Sequence, residues 1–316
     1  MKELAVIILN YRTPQLTLNC LDSLMLQINP ERHHVILVDN ASGDESVKIF
    51  QESIEKNHWQ PWLTLLVAET NGGFSAGNNL GVKAIDAEVY WLLNSDTLVL
   101  PGTVDLLLAT LKEHPKVGLL SPRLEWPDGE PQISCFRFHS PASEMIAGAS
   151  TSIITKLLKS FDVPIPVSDE LNFYQWTSFA SVLIRREVFE EIGLMDESYF
   201  LYYEDVDFCR RAYQAGWLVA NFPQARVIHL RGGSSSTKAD ISTRKRPADY
   251  LYKSRSRYFA KFYGKSGLLL ANFCWLLGRS VAYGRELIRN KQPHTCEFQE
   301  QDIWINWHHP LKKHSE

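Results

Sequence analysis

The sequence of 316 residues has little cysteine, and what it has is not arranged for metal or disulfide chemistry. The five cysteines are far apart, and no two of them form a C-x-x-C pair. This pattern indicates neither a zinc site nor a disulfide framework. Internal repeats and low-complexity tracts are also absent.

Several nucleotide and membrane signals are lacking as well. No G-x-G-x-x-G follows the first apolar run, which weakens a dinucleotide dehydrogenase reading, and the glycine-rich residues 71–79 lack the Gly-Lys-Ser/Thr of a Walker A loop. The apolar run at residues 4–9 is too short for a signal peptide. We therefore expect a cytoplasmic protein.

Charge is close to balanced but unevenly distributed. The chain has 33 Lys or Arg and 36 Asp or Glu, a formal net charge of −3. Residues 226–265 hold 11 of the basic residues and 2 of the acidic ones. A basic segment on an acidic protein favours contact with phosphates of a nucleotide, a nucleic acid or an anionic lipid surface.

Apolar runs and helical patterns alternate over the first 120 or so residues. Runs at 4–9, 35–38, 63–67, 89–100 and 117–120 predict buried strands, with helices between them. Thr13 and Ser75 are candidate helix caps. This order predicts an α/β fold with a doubly wound, mostly parallel sheet. Prolines then mark residues 123–166 as an insertion with one helix at 141–158, and strand and helix patterns return from Trp176.

The stretch 89–101 is apolar except for Asn94-Ser95-Asp96. Ligands of open α/β sheets gather at the carboxyl ends of strands, so Asp96 is a candidate for holding an ion or phosphate. Asp39, at the end of the second predicted strand, is a candidate for binding the ribose or base of a nucleotide. For both residues the alternative is a turn, which Asp and Asn also favour.

Three carboxylates crowd the start of a predicted helix at Glu204, Asp205 and Asp207. Favourable interaction with the helix dipole explains one or two acids there. It does not explain why they follow the aromatic-rich residues 199–203, which are either a sugar-stacking wall or core. His229 comes one helix and one strand later, a spacing that can return it to the same end of the sheet.

Six segments in order resemble glycosyltransferase family 2, the inverting enzymes of GT-A fold. They are residues 6–11, 38–42, 71–79, 92–97, 202–211 and 229–234, and the resemblance extends over about residues 4–265. The set is most similar to bacterial rhamnosyltransferase-type members that build cell-surface polysaccharides. Two departures are Asn94 at the first acid of the family's Asp-x-Asp, and Ser178-Phe179-Ala180 where members often carry glycine.

The resemblance implies a role for each matching position. Asp205 would be the catalytic base with Glu204 beside it, and Asp96 and His229 would hold Mg²⁺ or Mn²⁺. Asp39 would bind the nucleobase with Tyr11 near it. The remaining donor-binding candidates are Asn10, Asn71, Gly73, Asn78 and Ser95. Trp176 and Asp207 would contact the acceptor, and residues 231–234 with the basic segment would hold phosphates.

The expected activity is therefore transfer of a sugar, with inversion, from a nucleotide diphosphate sugar to a saccharide or lipid-linked saccharide. The favoured donor is dTDP-rhamnose. Alternatives are a UDP-sugar transferase of the same fold and a non-catalytic nucleotide-binding protein. A sugar-phosphate nucleotidyltransferase would need a glycine-rich basic loop after the first strand. Nucleic acid is not an expected partner. We expect a catalytic domain at 1–265, with 1–122 binding the donor and 123–265 the acceptor, and a helical extension at 266–316.

Residues 268–277 are apolar at nine of ten positions. They are too few to cross a bilayer, which needs about 20 residues. They predict either a buried core helix or a helix lying in the membrane surface with Trp275 at the headgroup level. Five Lys or Arg residues between 253 and 265 favour peripheral contact at the cytoplasmic face of the inner membrane.

Overall fold

The apolar runs form the central strands of a mixed sheet in the computed structural model, which describes residues 1–231, 237–289 and 292–312. The strands are β1 (Lys2–Asn10), β2 (His33–Asp39), β3 (Leu63–Val67), β4 (Ala87–Asn94), β5 (Thr97–Val99), β6 (Val117–Glu125), β7 (Cys135–Phe136), β8 (Asn172–Tyr174), β9 (Trp176–Thr177), β10 (Ser181–Arg185) and β11 (Leu218–His229).

Helices connect these strands and dominate the end of the chain. They are α1 (Pro14–Met25), α2 (Ser46–Lys56), α3 (Gly73–Lys83), α4 (Thr103–Glu113), α5 (Pro141–Ala149), α6 (Ser152–Leu157), α7 (Arg186–Ile192), α8 (Glu204–Gln214), α9 (Thr237–Ser242), α10 (Asp249–Arg289) and α11 (Gln299–Asp302). The single helix predicted at 141–158 is two, α5 and α6. The helical region predicted at the carboxyl end is confirmed.

The sheet order is β3-β2-β1-β4-β10-β6-β11-β5, with β8 pairing β11. Strands β3, β2, β1 and β4 are mutually parallel, whereas β10 runs antiparallel to both β4 and β6. The predicted mixed, mostly parallel sheet is therefore confirmed. The central strands carry continuous apolar runs because both of their faces are covered.

The described residues form two compact units. Unit 1 comprises Met1–Phe136, Pro166–Phe200 and Glu204–Ser234, and unit 2 comprises Arg137–Ile165, Leu201–Tyr203 and Ser235–Glu316. All strands belong to unit 1. Residues 235–265, which the sequence analysis assigned to the catalytic domain, fall in unit 2. The functional division at residue 265 stays a prediction.

Glycines set the packing of α3 against its surroundings in unit 1. A Cβ on Gly77 would lie 2.3 Å from Leu9 Cδ1, and one on Gly73 would lie 2.2 Å from the backbone oxygen of Phe200. Gly73 also has a φ of +83°. The helix begins at Gly73 rather than at Ser75, so the predicted capping role of Ser75 is wrong.

Replacing Gly73 with alanine should therefore destabilise unit 1 in two ways. The positive φ and the collision with Phe200 together should lower the free energy of unfolding by about 2–5 kcal/mol. Gly43→Ala is the matched control, because Gly43 has a φ of +66° and open space around its Cβ position. It should cost only about 1–2 kcal/mol in urea denaturation. Equal losses in the two variants would contradict the close approach.

Candidate functional site

Three strand ends come together at the carboxyl edge of the parallel strands in unit 1. In the parallel pairings Asn10 is opposite Asp39, and Leu9 is opposite Asn94. The last residues of β1, β2 and β4 therefore lie side by side. This is the edge at which open α/β sheets bind ligands.

A short antiparallel pairing brings His229 to the same edge. After Asn94 the chain turns through Ser95 and Asp96 into β5, which pairs with the end of β11 so that Thr97 faces His229. The Leu230 amide donates to the Asp96 carbonyl at 2.9 Å. The sequence analysis expected Asp96 and His229 to meet, and the structure places His229 Nε2 3.4 Å from Asp96 Oδ1.

The Asp96–His229 pair fits a divalent cation. Both side chains are buried, and His229 Nδ1 has no hydrogen-bond partner. Within the described ranges no cluster of three His, Cys, Asp or Glu side chains forms a metal site. A carboxylate and an imidazole nevertheless suffice when substrate phosphates complete the shell, as is usual for Mg²⁺. The histidine favours Mn²⁺ over Mg²⁺.

Gln132 and Arg231 support this pair, and the sequence analysis did not single out Gln132. Its amide nitrogen donates to the His229 carbonyl at 2.7 Å, and its amide oxygen accepts from Arg231 Nε at 2.6 Å. Burial lowers the pKa of Arg231, while the charge of nearby Asp96 raises it. A single glutamine in a loop matches no sequence motif, so its contact with His229 and Arg231 is visible only in the folded structure. Residues 232–234 of the predicted phosphate-binding stretch lie outside the described residues.

Asn10 organises the edge at the ends of β1 and β2. It is fully buried, and its amide donates to Asp39 Oδ1 at 2.8 Å and to Ser42 Oγ at 3.1 Å. Its oxygen accepts from the hydroxyls of Thr13 and Thr17. Thr13 occupies the predicted N-cap position of α1, but its hydroxyl contacts Asn10 and Ser95 instead of the first turn. Asn10 therefore positions the surrounding loops.

Asp39 is buried and bonded within its own loop. Ser42 donates to its two oxygens, through the hydroxyl at 2.6 Å and the backbone amide at 3.0 Å. With the bond from Asn10, Asp39 accepts three of the four or so hydrogen bonds open to a carboxylate. Tyr11 beside it is half-buried, with the Arg12 guanidinium 5.1 Å from its ring centroid.

The asparagines of the glycine-rich stretch make structural contacts. Asn71 Oδ1 accepts from Asn40 Nδ2 and from the Gly73 amide, at 2.9 and 3.0 Å. Asn78 donates to the Phe74 carbonyl within α3, and Asn79 donates to Met195 and Glu197. The bonds of Asn79 hold the loop before α8. The donor-binding roles expected of Asn71, Gly73 and Asn78 stay predictions.

The acids at the start of α8 occupy different environments. Glu204 is buried and Asp205 is half-buried. Burial, with a smaller contribution from Asp205, raises the pKa of Glu204 well above its usual range. The residues just before them, Tyr202 and Tyr203, both have φ near +70°, a strained backbone that concentrates at functional sites.

Two residues expected to contact the acceptor are turned into unit 1. Asp207 is fully buried, accepts from Tyr199 at 3.0 Å and from Arg211 at 2.8 Å, and so secures α8. Trp176 is buried and stacks on Phe136, with ring centroids 4.1 Å apart. Tyr199 is core rather than a sugar-stacking surface. This geometry gives Asp207 and Trp176 structural roles, and acceptor contact by either stays a prediction.

A family model and curated relatives match this chain. The family model described as glycosyl transferase family 2 matches residues 5–162. A curated relative, the N-acetylglucosaminyl-diphospho-decaprenol L-rhamnosyltransferase of Mycobacterium tuberculosis, is 28% identical over 280 residues. That alignment covers 80% of this chain and 82% of the relative.

Solved structures share the fold at low identity. The mannosyltransferase PcManGT from Pyrobaculum calidifontis, in complex with GDP-Man and Mn²⁺, has a TM-score of 0.57 at 14% identity, over 92% of this chain and 77% of that one. GalNAc-T7 with UDP, GalNAc and Mn²⁺ has a TM-score of 0.60 at 14% identity, over 98% and 59%. The chain belongs to glycosyltransferase family 2 and is a glycosyltransferase of GT-A fold.

Proposed function

We propose that the enzyme transfers L-rhamnose from dTDP-rhamnose to a lipid-linked saccharide at the cytoplasmic face of the inner membrane, in cell-surface polysaccharide synthesis. Residues 1–122 bind the donor, and residues 123–265 supply the base and the acceptor contacts. Support for the sugar and the acceptor comes from the Mycobacterium tuberculosis relative, whose alignment spans most of both chains. The observation that carries the proposal is the Asp96–His229 pair, 3.4 Å apart at the ligand-binding edge of the sheet.

The pair is suited to the diphosphate of a nucleotide sugar. Asp96 and His229 would hold Mn²⁺ or Mg²⁺, which when bound neutralises charge on the leaving diphosphate. Arg231 adds a cation whose guanidinium is oriented by Gln132 at 2.6 Å. Ser95 lies within 3.3 Å of Thr13, so the turn that carries Asp96 is tied to the Asn10 network. Tyr11 and the Asp39 loop hold the nucleobase side.

The reaction exchanges one bond at the anomeric carbon for another. The acceptor hydroxyl attacks that carbon on the face opposite the diphosphate, and its proton passes to the Asp205 carboxylate. The bond from the carbon to the phosphate oxygen breaks, and the nucleoside diphosphate leaves with its electron pair. The configuration is inverted because the new bond forms on the opposite face.

The two neighbouring acids differ in burial, and we assign them different protonation states on that basis. Desolvation disfavours the charged form, so buried Glu204 is the acid that stays protonated, and half-buried Asp205 is the base. Paired carboxylates in different environments are the usual way in which one site separates an acid from a base. Protonated Glu204 also avoids repulsion with Asp205.

Asp205→Asn keeps the shape of the side chain and removes its capacity to accept a proton. Transfer should fall by about 10²–10⁴-fold, the usual contribution of a general base, while dTDP affinity is unchanged. Turnover and nucleotide affinity would be measured by product formation and calorimetry. Glu187→Gln, at an exposed acid in the first turn of α7, should behave as wild type. Near-normal turnover in Asp205→Asn would refute the assignment.

Glu204→Gln should change how stability depends on pH. Because the folded-state pKa of Glu204 is raised, folding binds a proton that the unfolded chain releases, and stability is lost as pH rises above the unfolded pKa. The glutamine variant lacks this loss. In urea denaturation it should gain stability over wild type at pH 8 and not at pH 4. An equal difference at both pH values would show that Glu204 is not buried as a neutral acid.

Nucleotide and metal should stabilise the protein together. At a 100-fold excess over the dissociation constant, dTDP with Mn²⁺ should add about 2.7 kcal/mol and raise the melting temperature. EDTA should remove most of this increment, and so should Asp96→Ala or His229→Ala. His309→Ala, at an exposed histidine, is the control. Variants that respond to Mn²⁺ as wild type does would refute the pair as a metal site.

The same assay separates the proposed donor from its alternative. UDP in place of dTDP tests the UDP-sugar transferase, and a larger shift with UDP would favour it. Turnover with dTDP-rhamnose against UDP-sugars would then decide between them.

A further inference from the structure

The second part of α10 has an unusual outer face in unit 2. The helix is interrupted at Gly264, where φ is 70° and ψ is 177°. From Ser266 to Ile288 the exposed positions carry no charged residue. Eight large side chains form what we call the outer stripe, each 42–87% exposed: Leu269, Leu270, Phe273, Leu277, Val281, Tyr283, Leu287 and Ile288.

Asn272, Arg279 and Glu286 of this segment are buried instead, and the exposed Ser266 and Ser280 are uncharged. Buried Arg279 pairs with Glu286 at 2.7 Å and with Glu300 at 3.0 Å. Asn272 is fully buried and donates to the Ile303 carbonyl at 3.1 Å. A water-facing helix of a globular protein normally shows the reverse, with its apolar side toward the core and its charges outside.

Close packing fixes which face is inside. A Cβ on Gly278 would lie 2.3 Å from the Met145 carbonyl oxygen, and one on Gly148 would lie 2.2 Å from that of Trp275. Helix α5 therefore contacts α10 backbone to backbone, and α10 cannot rotate to bury the outer stripe. Trp275 is 3% exposed, so its expected place at the headgroup level is wrong. Neighbouring Phe273 and Leu277 occupy the outer face.

The outer stripe has the size and charge pattern of a surface for anionic lipid. It runs about 28 Å along the helix at 1.5 Å per residue, and exposed apolar patches of this extent mark interaction sites. Among the described basic side chains of α10, Arg255 and Arg279 are buried in ion pairs. The basic side chains that are not buried are those of Lys253, Arg257, Lys261, Lys265 and Arg285. Lys261 and Lys265 precede the stripe, and Arg285 lies near its end. Across the described residues no helix is long and apolar enough to span a bilayer.

We infer that the outer stripe lies in the plane of an anionic membrane, with its side chains among the acyl chains and the flanking cations at the headgroups. In-plane helices of this kind combine an apolar face with basic residues. The inference rests on the proposed function in one respect: the proposed acceptor is lipid-linked, which gives the enzyme a reason to bind a membrane. The surface itself is read from unit 2 and does not depend on the sugar transferred.

Full-length protein would be sedimented with vesicles of equal parts phosphatidylglycerol and phosphatidylcholine. Wild type should bind at low salt, bind less at high salt, and bind weakly to phosphatidylcholine alone. Phe273→Glu with Leu277→Glu should lower the bound fraction at least tenfold. Leu287→Glu with Ile288→Glu, at the far end of the stripe, is a second variant with the same expectation. Leu26→Glu with Leu106→Glu, at exposed apolar residues of unit 1, should bind as wild type.

The melting temperature of each variant without ligand reports whether it is folded. The increase in melting temperature with dTDP and Mn²⁺ reports whether its donor site is intact. A stripe variant that keeps this response but leaves the vesicles supports the inference. Wild type that stays in the supernatant at low salt would overturn it, as would a stripe variant that binds normally. Wild type that is dimeric in analytical ultracentrifugation, with monomeric stripe variants, would instead identify a second copy as the partner. Vesicle binding without any nucleotide response would refute the proposed function alone.

Discussion

The proposed donor side of the enzyme depends on one buried amide, that of Asn10. Its nitrogen donates to Asp39 at the end of β2 and to Ser42 in the following loop, and its oxygen accepts from Thr13 just before α1 and from Thr17 in α1. An aspartate of the same shape could not replace it, because its oxygen would face the Asp39 carboxylate where Asn10 now donates. Through Thr13 the network reaches Ser95, beside the residue proposed to bind metal. One side chain thus sets the spacing of three strand ends.

A second framework holds the acidic end of α8. Arg211 bonds Asp207 and also donates to the carbonyls of Ile192 and Leu194, at 2.7 and 3.0 Å. From the other side, Asn79 of α3 bonds Met195 and Glu197. The loop before α8 is therefore fixed from both sides. This order is what a general base requires, since proton transfer depends on geometry before pKa.

The strands and the meeting of Asp96 with His229 could be predicted because they follow from local patterns. Apolar runs mark buried strands, and parallel strands bring their carboxyl ends to one edge. Which way a side chain points could not be predicted in the same way. Asp207 belongs to a segment that resembles the family and Trp176 lies outside those segments, yet both side chains are turned inward. No sequence pattern around Gln132 indicates its role. Its contacts with the His229 carbonyl and with Arg231 depend on the pairing of β11 with β5 and β6.

Helix α10 shows why composition alone misleads. Residues 268–277 contain nine apolar side chains in ten, which suits a core helix and a membrane-surface helix equally well. The deciding information includes Arg279, outside that window, which pairs with Glu286 within the helix and with Glu300 of α11. Rotation of the helix that withdrew Phe273 and Leu277 from the surface would break the Arg279–Glu300 contact and the hydrogen bond from Asn272 to the Ile303 carbonyl. Asn272 is fully buried, and leaving its amide nitrogen without a partner would cost about 1–3 kcal/mol. The exposure of the apolar stripe is therefore maintained by polar interactions on the opposite face.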